Sequence, residues 1–192
     1  MSNYDWDDNA FPLAYLITIR TYGTWLHGDL RGSVDRHGQN IFGMPRIEPN
    51  AELTRIMREE MNGSPFVMNI SQRLAVHREI EDVCRRRSYL LRALNVRTNH
   101  LHSVVSAEVR PEVIINAFKS NATRAMREQK LIGREAKVWS LGKSRRYLWK
   151  PRSVALAIDY TLNQQGENLI EFEDWLKMNG ESLEDDENGN AP

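Results

Sequence analysis

Two short patterns in this chain carry side chains able to do chemistry. His100 and His102 flank Leu101, and Tyr160 precedes Gln164 by four residues. On a strand, residues two apart share a face at about 6 to 7 Å, so both imidazoles can address one ion while Leu101 enters the other side. On a helix, residues four apart stack on one face, so a phenol and an amide oxygen can approach one object together. The first pair is half of a metal site. The second sets a phenol beside a neutral oxygen donor. On spacing alone, a half-exposed polar strand face and a packing-edge tyrosine beside a solvated glutamine are the commoner outcomes.

The elements that must position these groups can be read from periodicity. Leu13 to Tyr22 alternates Tyr15, Ile17 and Ile19 with Leu16, Thr18 and Arg20, the pattern of a first strand. Gly28 to Gly43, rich in Gly, Asp and Arg, predicts an exposed loop. Asn50 caps a short helix through Met61, ended by Gly63, Ser64 and Pro65. From Ser71 to about Arg87, the apolar stripe Leu74, His77, Ile80, Val83 and Cys84 predicts an amphipathic helix on which His77 is packed. Tyr89 to Arg97 and His100 to Ala107 read as a hairpin around Thr98 and Asn99. Pro111 opens a helix with the stripe Ile114, Ala117, Phe118, Ala122, Ala125 and Met126, reaching about Gln129. Val138 to Trp149 supplies one more strand or hairpin, and Pro151 begins a last helix, roughly Arg152 to Gln165, closed by Gly166. This order is that of an α+β protein with a ferredoxin-like antiparallel sheet.

In combination the patterns say more than either does alone. Asn99-His100-Leu101-His102, a following helix, Trp139-Ser140 in a basic stretch, and Tyr160-Thr161-Leu162-Asn163-Gln164 occur in this order. In that order the chain resembles the HUH-type single-strand transposases, the IS200-like insertion-sequence enzymes and REP-associated tyrosine transposases, from about Leu13 to Gln165. The resemblance implies that His100, His102 and Gln164 bind a divalent metal, Mg²⁺ or Mn²⁺, and that Tyr160 is the nucleophile. It further implies a 5′-phosphotyrosine intermediate on single-stranded DNA next to hairpins, and leaves a homodimer open. The chain departs from the compact insertion-sequence enzymes in a longer segment between Gly28 and Ile70 and in its acidic end. Both bear on DNA specificity and assembly and remove no catalytic group.

Composition is compatible with this partner. The formal net charge is zero, yet residues 166–192 hold nine Asp/Glu and one Lys, leaving 17 acids against 25 bases in residues 1–165. We expect one catalytic domain over 1–165, with an inserted loop and helix at about 28–70, and an acidic, flexible tail over 166–192. Phosphate contacts are expected from Arg124, Arg127, Lys143, Arg145, Arg146, Lys150 and Arg152, with Trp139, Tyr147 or Trp149 available to stack on unpaired bases. No run of about 18 apolar residues spans a bilayer and no secretory signal is evident, which predicts a cytoplasmic protein with no membrane partner. The single cysteine, Cys84, excludes an internal disulfide and thiolate metal chemistry and reads as a small buried hydrophobe. No Gly-rich loop ending in Lys-Ser/Thr is present to cradle a triphosphate, so no nucleotide cofactor is expected. His27 and His37 lie in loop sequence without a partner motif. Two other readings are compatible with the same residues. One is a replication-type or conjugative nickase sharing the histidine pair and tyrosine; the other is a ferredoxin-like nucleic-acid-binding module without catalysis.

Overall fold

The computed structural model describes residues 10–26, 28–29 and 49–163 of the 192-residue chain. Most of the expected 28–43 loop, the acidic tail, His27, His37 and Gln164 lie outside the described residues. The element order is β1 (Ala14–Thr21), α1 (Ala51–Glu59), α2 (Ile70–Arg86), β2 (Leu90–Val96), β3 (His100–Ser106), α3 (Pro111–Glu128), β4 (Trp139–Leu148) and α4 (Pro151–Asn163). The strands form one sheet in the order β2-β3-β1-β4 with every pairing antiparallel. This is an α+β architecture of ferredoxin-like topology, with α1 and α4 added.

The helices start and stop where local chemistry dictates. Asn50 accepts from the Leu53 amide to cap α1. Asn69 caps α2 through a reciprocal pair with Gln72, one residue ahead of the expected start at Ser71. Both α2 and α3 end without glycine. Ser88 and Lys130 take positive φ, 55° and 57°. The next amides then bond back, Tyr89 to the Cys84 carbonyl and Leu131 to that of Met126.

The two faces of the sheet differ in kind. One carries Tyr15, Ile17 and Ile19 of β1 with Leu101 and Val105 of β3, and α2 and α3 close over it to form the main core. Ile114, Ala117, Phe118, Ala122, Ala125 and Met126 are all buried, as the stripe predicts. Among the described residues, the opposite face has only a small buried apolar cluster, Ala14, Ala93, Val104 and Leu148 against Val154 and Ala157 of α4. Small side chains at these contacts let α4 lie close to the strands. Beyond that cluster this face turns polar.

Among the described residues, no helix is long and apolar enough to cross a membrane. Cys84 is buried as expected, and burial together with nearby Glu81 pushes its thiol up to about 12. Only the thiolate reacts, so Ellman's reagent at pH 8 is expected to label native protein roughly 10³-fold more slowly than denatured protein. Equal rates in the two states would place Cys84 outside the core.

Candidate active site

Strand register assembles a polar row on the α4 side of the sheet. Asn95 of β2 pairs with His102 of β3, His102 with Thr18 of β1, and Thr18 with Ser144 of β4. His100 lies one step along the same face, opposite Arg20. Leu101, between the histidines, is buried in the main core. The alternation expected of the motif is thus realised, and the imidazole ring centroids are 4.8 Å apart.

Each ring is held by its Nδ1 atom. Thr18 Oγ1 lies 2.8 Å from that of His102, and Asn99 Oδ1 lies 2.6 Å from that of His100. The hairpin carrying the histidines is itself clamped. The Asn99 carbonyl accepts from the Thr21 amide and from the hydroxyls of Thr21 and Thr24. The Thr98 carbonyl accepts from the Met68 amide. On the other side, Arg73 of α2 is fully buried and donates from Nε to the Val96 carbonyl at 2.8 Å. Burial and the neighbouring Arg97 lower the pKa of this guanidinium.

The phenol arrives from α4 of the same chain. Tyr160 sets its ring 5.5 Å from that of His102, nearly perpendicular at 77°. Asn95 fixes the helix at this point by donating from Nδ2 to the Thr161 carbonyl, 3.0 Å away. His102 is 6% exposed while Tyr160 is 39% exposed, so the imidazole is the more sheltered of the two side chains. Gln164, the expected third donor, follows the last described residue of α4 and is not placed. Among the described residues, no group of three His, Cys, Asp or Glu gathers around an ion. Two imidazoles with an amide oxygen would be a neutral N/N/O donor set, which divalent cations such as Mg²⁺ and Mn²⁺ accept.

The basic residues do not all meet this site. Arg146 pairs with Leu16 and so belongs to the histidine face, whereas Arg145 bonds Glu112 of α3 at 2.7 Å on the opposite face. Arg124 and Arg127 belong to α3, beyond the main core. Arg124 lies 3.8 Å from Glu79 and from Glu128, and Arg127 donates to the Arg134 carbonyl. Lys150 and Arg152 are exposed at the start of α4, and the Lys143 backbone pairs with Ile19. Trp139 is packed on α3, its indole N–H shared between the Lys119 carbonyl and Thr123 Oγ1. Tyr147 and Trp149 stack on each other, centroids 6.5 Å apart, and both are part exposed. His77 lies on α2, 3.4 Å from Glu81, whose carboxyl it holds below the usual range.

Sequence reasoning missed Thr18, Asn95 and Arg20 as neighbours of the histidines. Arg20 is stacked over the Trp25 ring at 3.7 Å, a cation on the histidine face. Strand alternation already put Thr18 and Arg20 on one side of β1; only the register with β3 says what they meet.

No family model and no curated protein matches the sequence. Two solved structures similar to this chain are both described as transposases. One is a REP-associated tyrosine transposase bound to a REP hairpin, 13% identical, with 84% of this chain and 70% of that one covered and a TM-score of 0.45. The other, from Deinococcus radiodurans, bears a provisional description as a transposase. It is 14% identical, with 83% of this chain and 96% of that one covered and a TM-score of 0.42. Likeness at these values transfers no activity, so function has to be argued from the site.

Proposed function

We propose that this chain is a transposase-type enzyme that cuts single-stranded DNA with Tyr160 and keeps the cut end as a phosphotyrosine ester. One observation carries the reading: the ring of Tyr160 stands 5.5 Å from that of His102, on the histidine face of the sheet and within one chain. A core tyrosine would be sheltered, and a solvated one would not meet the imidazole pair.

In the proposed reaction the Tyr160 oxygen attacks the scissile phosphorus. The bond from Tyr160 to phosphorus forms as the bond from phosphorus to the 3′ oxygen of the preceding nucleotide breaks. The phenol proton passes to water or a base, and the departing oxygen takes up a proton to become a 3′-hydroxyl. A 3′-hydroxyl attacking the ester reverses these steps and frees Tyr160, so no nucleotide hydrolysis is needed. An ordinary phenol, with a pKa near 10, is a weak nucleophile against an anionic diester, and charge at the phosphate must be neutralised. His100, His102 and Gln164 would hold a divalent cation, Mg²⁺ or Mn²⁺, which when bound supplies Lewis-acid stabilisation at the phosphate. Arg20 and Arg146 add fixed positive charge on the same face. Tyr147, opposite Tyr15 and packed on its ring, leaves β4 on the side away from the histidines, so its stack with Trp149 is not part of this site. Hairpin-bearing DNA is the substrate that the sequence resemblance implies.

The test is direct. Purified protein is incubated with a labelled single strand carrying a hairpin, with Mg²⁺ or Mn²⁺, and run on a denaturing gel. A shifted band that protease removes is the expected result. Binding with no covalent product under either metal would leave a nucleic-acid-binding module in place of the enzyme.

Asn95 gives a subtler expectation. Asn95→Ala removes the bond to the Thr161 carbonyl, worth about 1 kcal/mol of stability. It also frees the turn of α4 that aims Tyr160, and displacement by about 1 Å can cost 10²-fold in rate. Adduct formation is expected to slow by about 10- to 100-fold, and Mn²⁺ affinity to fall by less, because Gln164 moves with α4 while His100 and His102 keep their places on β3. Undiminished rates would mean that the Asn95 contact is not what aims the phenol.

A further inference from the structure

The two histidines are anchored in the same way by different elements. Asn99 Oδ1 meets Nδ1 of His100 at 2.6 Å, and Thr18 Oγ1 meets Nδ1 of His102 at 2.8 Å. An amide oxygen only accepts, so the first contact is a hydrogen bond when the ring nitrogen carries the proton. A hydroxyl can accept or donate, and in accepting it matches the first contact. Both supports are themselves fixed. Thr18 lies on the central strand β1, between β3 and β4, and the Asn99 backbone is held through its carbonyl by Thr21 and Thr24.

We propose that Asn99 and Thr18 are positioning residues that hold His100 and His102 with Nδ1 protonated, leaving the lone pair of each ring on Nε2. The inference rests on the reading of this pair as metal ligands and adds what makes them competent. A neutral imidazole in water prefers the proton on Nε2, the tautomer whose lone pair here would be turned into the sheet and the hairpin. Oxygen acceptors at both Nδ1 atoms reverse that preference before any ion arrives. Ligating histidines are oriented and made more basic by this kind of outer contact. Neither side chain touches substrate in this scheme, and each acts through its ring.

Nitrogen-15 NMR of the imidazoles in metal-free protein reads the tautomer directly, and titration with Mn²⁺ followed by electron paramagnetic resonance reads affinity separately. In the wild type both rings are expected to carry the proton on Nδ1. Asn99→Ala should move the His100 proton to Nε2, and Thr18→Val should do the same for His102. Each should weaken Mn²⁺ binding by about 10- to 100-fold. Asn99→Asp and Thr18→Ser, which keep an oxygen acceptor, should restore both signals. The Asn99 variants keep the backbone carbonyl that holds the hairpin, and Thr18→Val keeps the side-chain shape, so a folding failure in one leaves the other to decide. Wild-type rings protonated on Nε2, or unchanged tautomers in both variants, would overturn the proposal. A wild type that binds no Mn²⁺ would end the metal reading itself, while the tautomers decide the anchoring independently.

Discussion

Tyr160→Phe is expected to bind hairpin-bearing single strands as the wild type does and to form no covalent adduct, a loss of at least about 10³-fold in cleavage. Losing the attacking oxygen removes the step itself, and nucleophile deletions in other covalent enzymes reach larger factors. The substitution keeps the aromatic ring that stands at 77° to His102 and deletes one oxygen from a residue that is 39% exposed. The thermal midpoint should therefore hardly move. The binding control matters because the cations of the histidine face, Arg20 and Arg146, are untouched. Adduct at the wild-type rate in the Phe variant would put the nucleophile elsewhere. Loss of binding together with the adduct would make the Tyr160 hydroxyl a contact that holds DNA.

Much of what surrounds this tyrosine could be read from periodicity, because burial imposes it. The stripe from Ile114 to Met126 had to face a core, and the alternation of Tyr15, Ile17 and Ile19 with Leu16, Thr18 and Arg20 had to split across a sheet. Register could not be read that way. A slip of one residue would turn every side chain of β3 to the other face, and no local pattern states which residue of β1 lies opposite His102. Thr18 was therefore visible as polar and invisible as a partner. The same alternation defeats any reading of residues 143–152 as one basic patch, because Arg145 and Arg146, adjacent in sequence, leave the strand on opposite sides. Arg145 then finds Glu112 of α3. Trp139 illustrates a different limit. Its place among cations suggests base stacking, whereas its indole N–H is taken by the Lys119 carbonyl and Thr123 Oγ1. An aromatic ring with a donor at its edge serves equally at a helix contact, and only tertiary structure says which. The buried Arg73, bonded to the Val96 carbonyl under the histidine hairpin, had no sequence signal at all.

His102→Ala is the second large effect. His102 is sheltered between Thr18 and Tyr160, 6% exposed, and cannot be replaced by water without consequence. Truncation withdraws one of two imidazoles from the proposed ion. It also leaves the Thr18 hydroxyl without that contact, at a cost of about 1 to 3 kcal/mol if no water takes it up. Metal-dependent adduct formation is expected to fall by more than about 10²-fold, beyond the usual loss from an outer contact alone. Raising Mn²⁺ should recover only part of it, since a site with one imidazole binds weakly and holds the phosphate poorly. His100→Ala should behave similarly in chemistry with a smaller loss of stability, because that ring is less enclosed. The discriminating measurement is the adduct rate against Mn²⁺ concentration for all three proteins at a temperature where each is folded. A rightward shift with a lowered plateau is the signature of lost coordination. An unchanged metal dependence in His102→Ala, with only the plateau reduced, would mean that the ring supports Tyr160 by contact and that the cation, if one acts, is held by other groups.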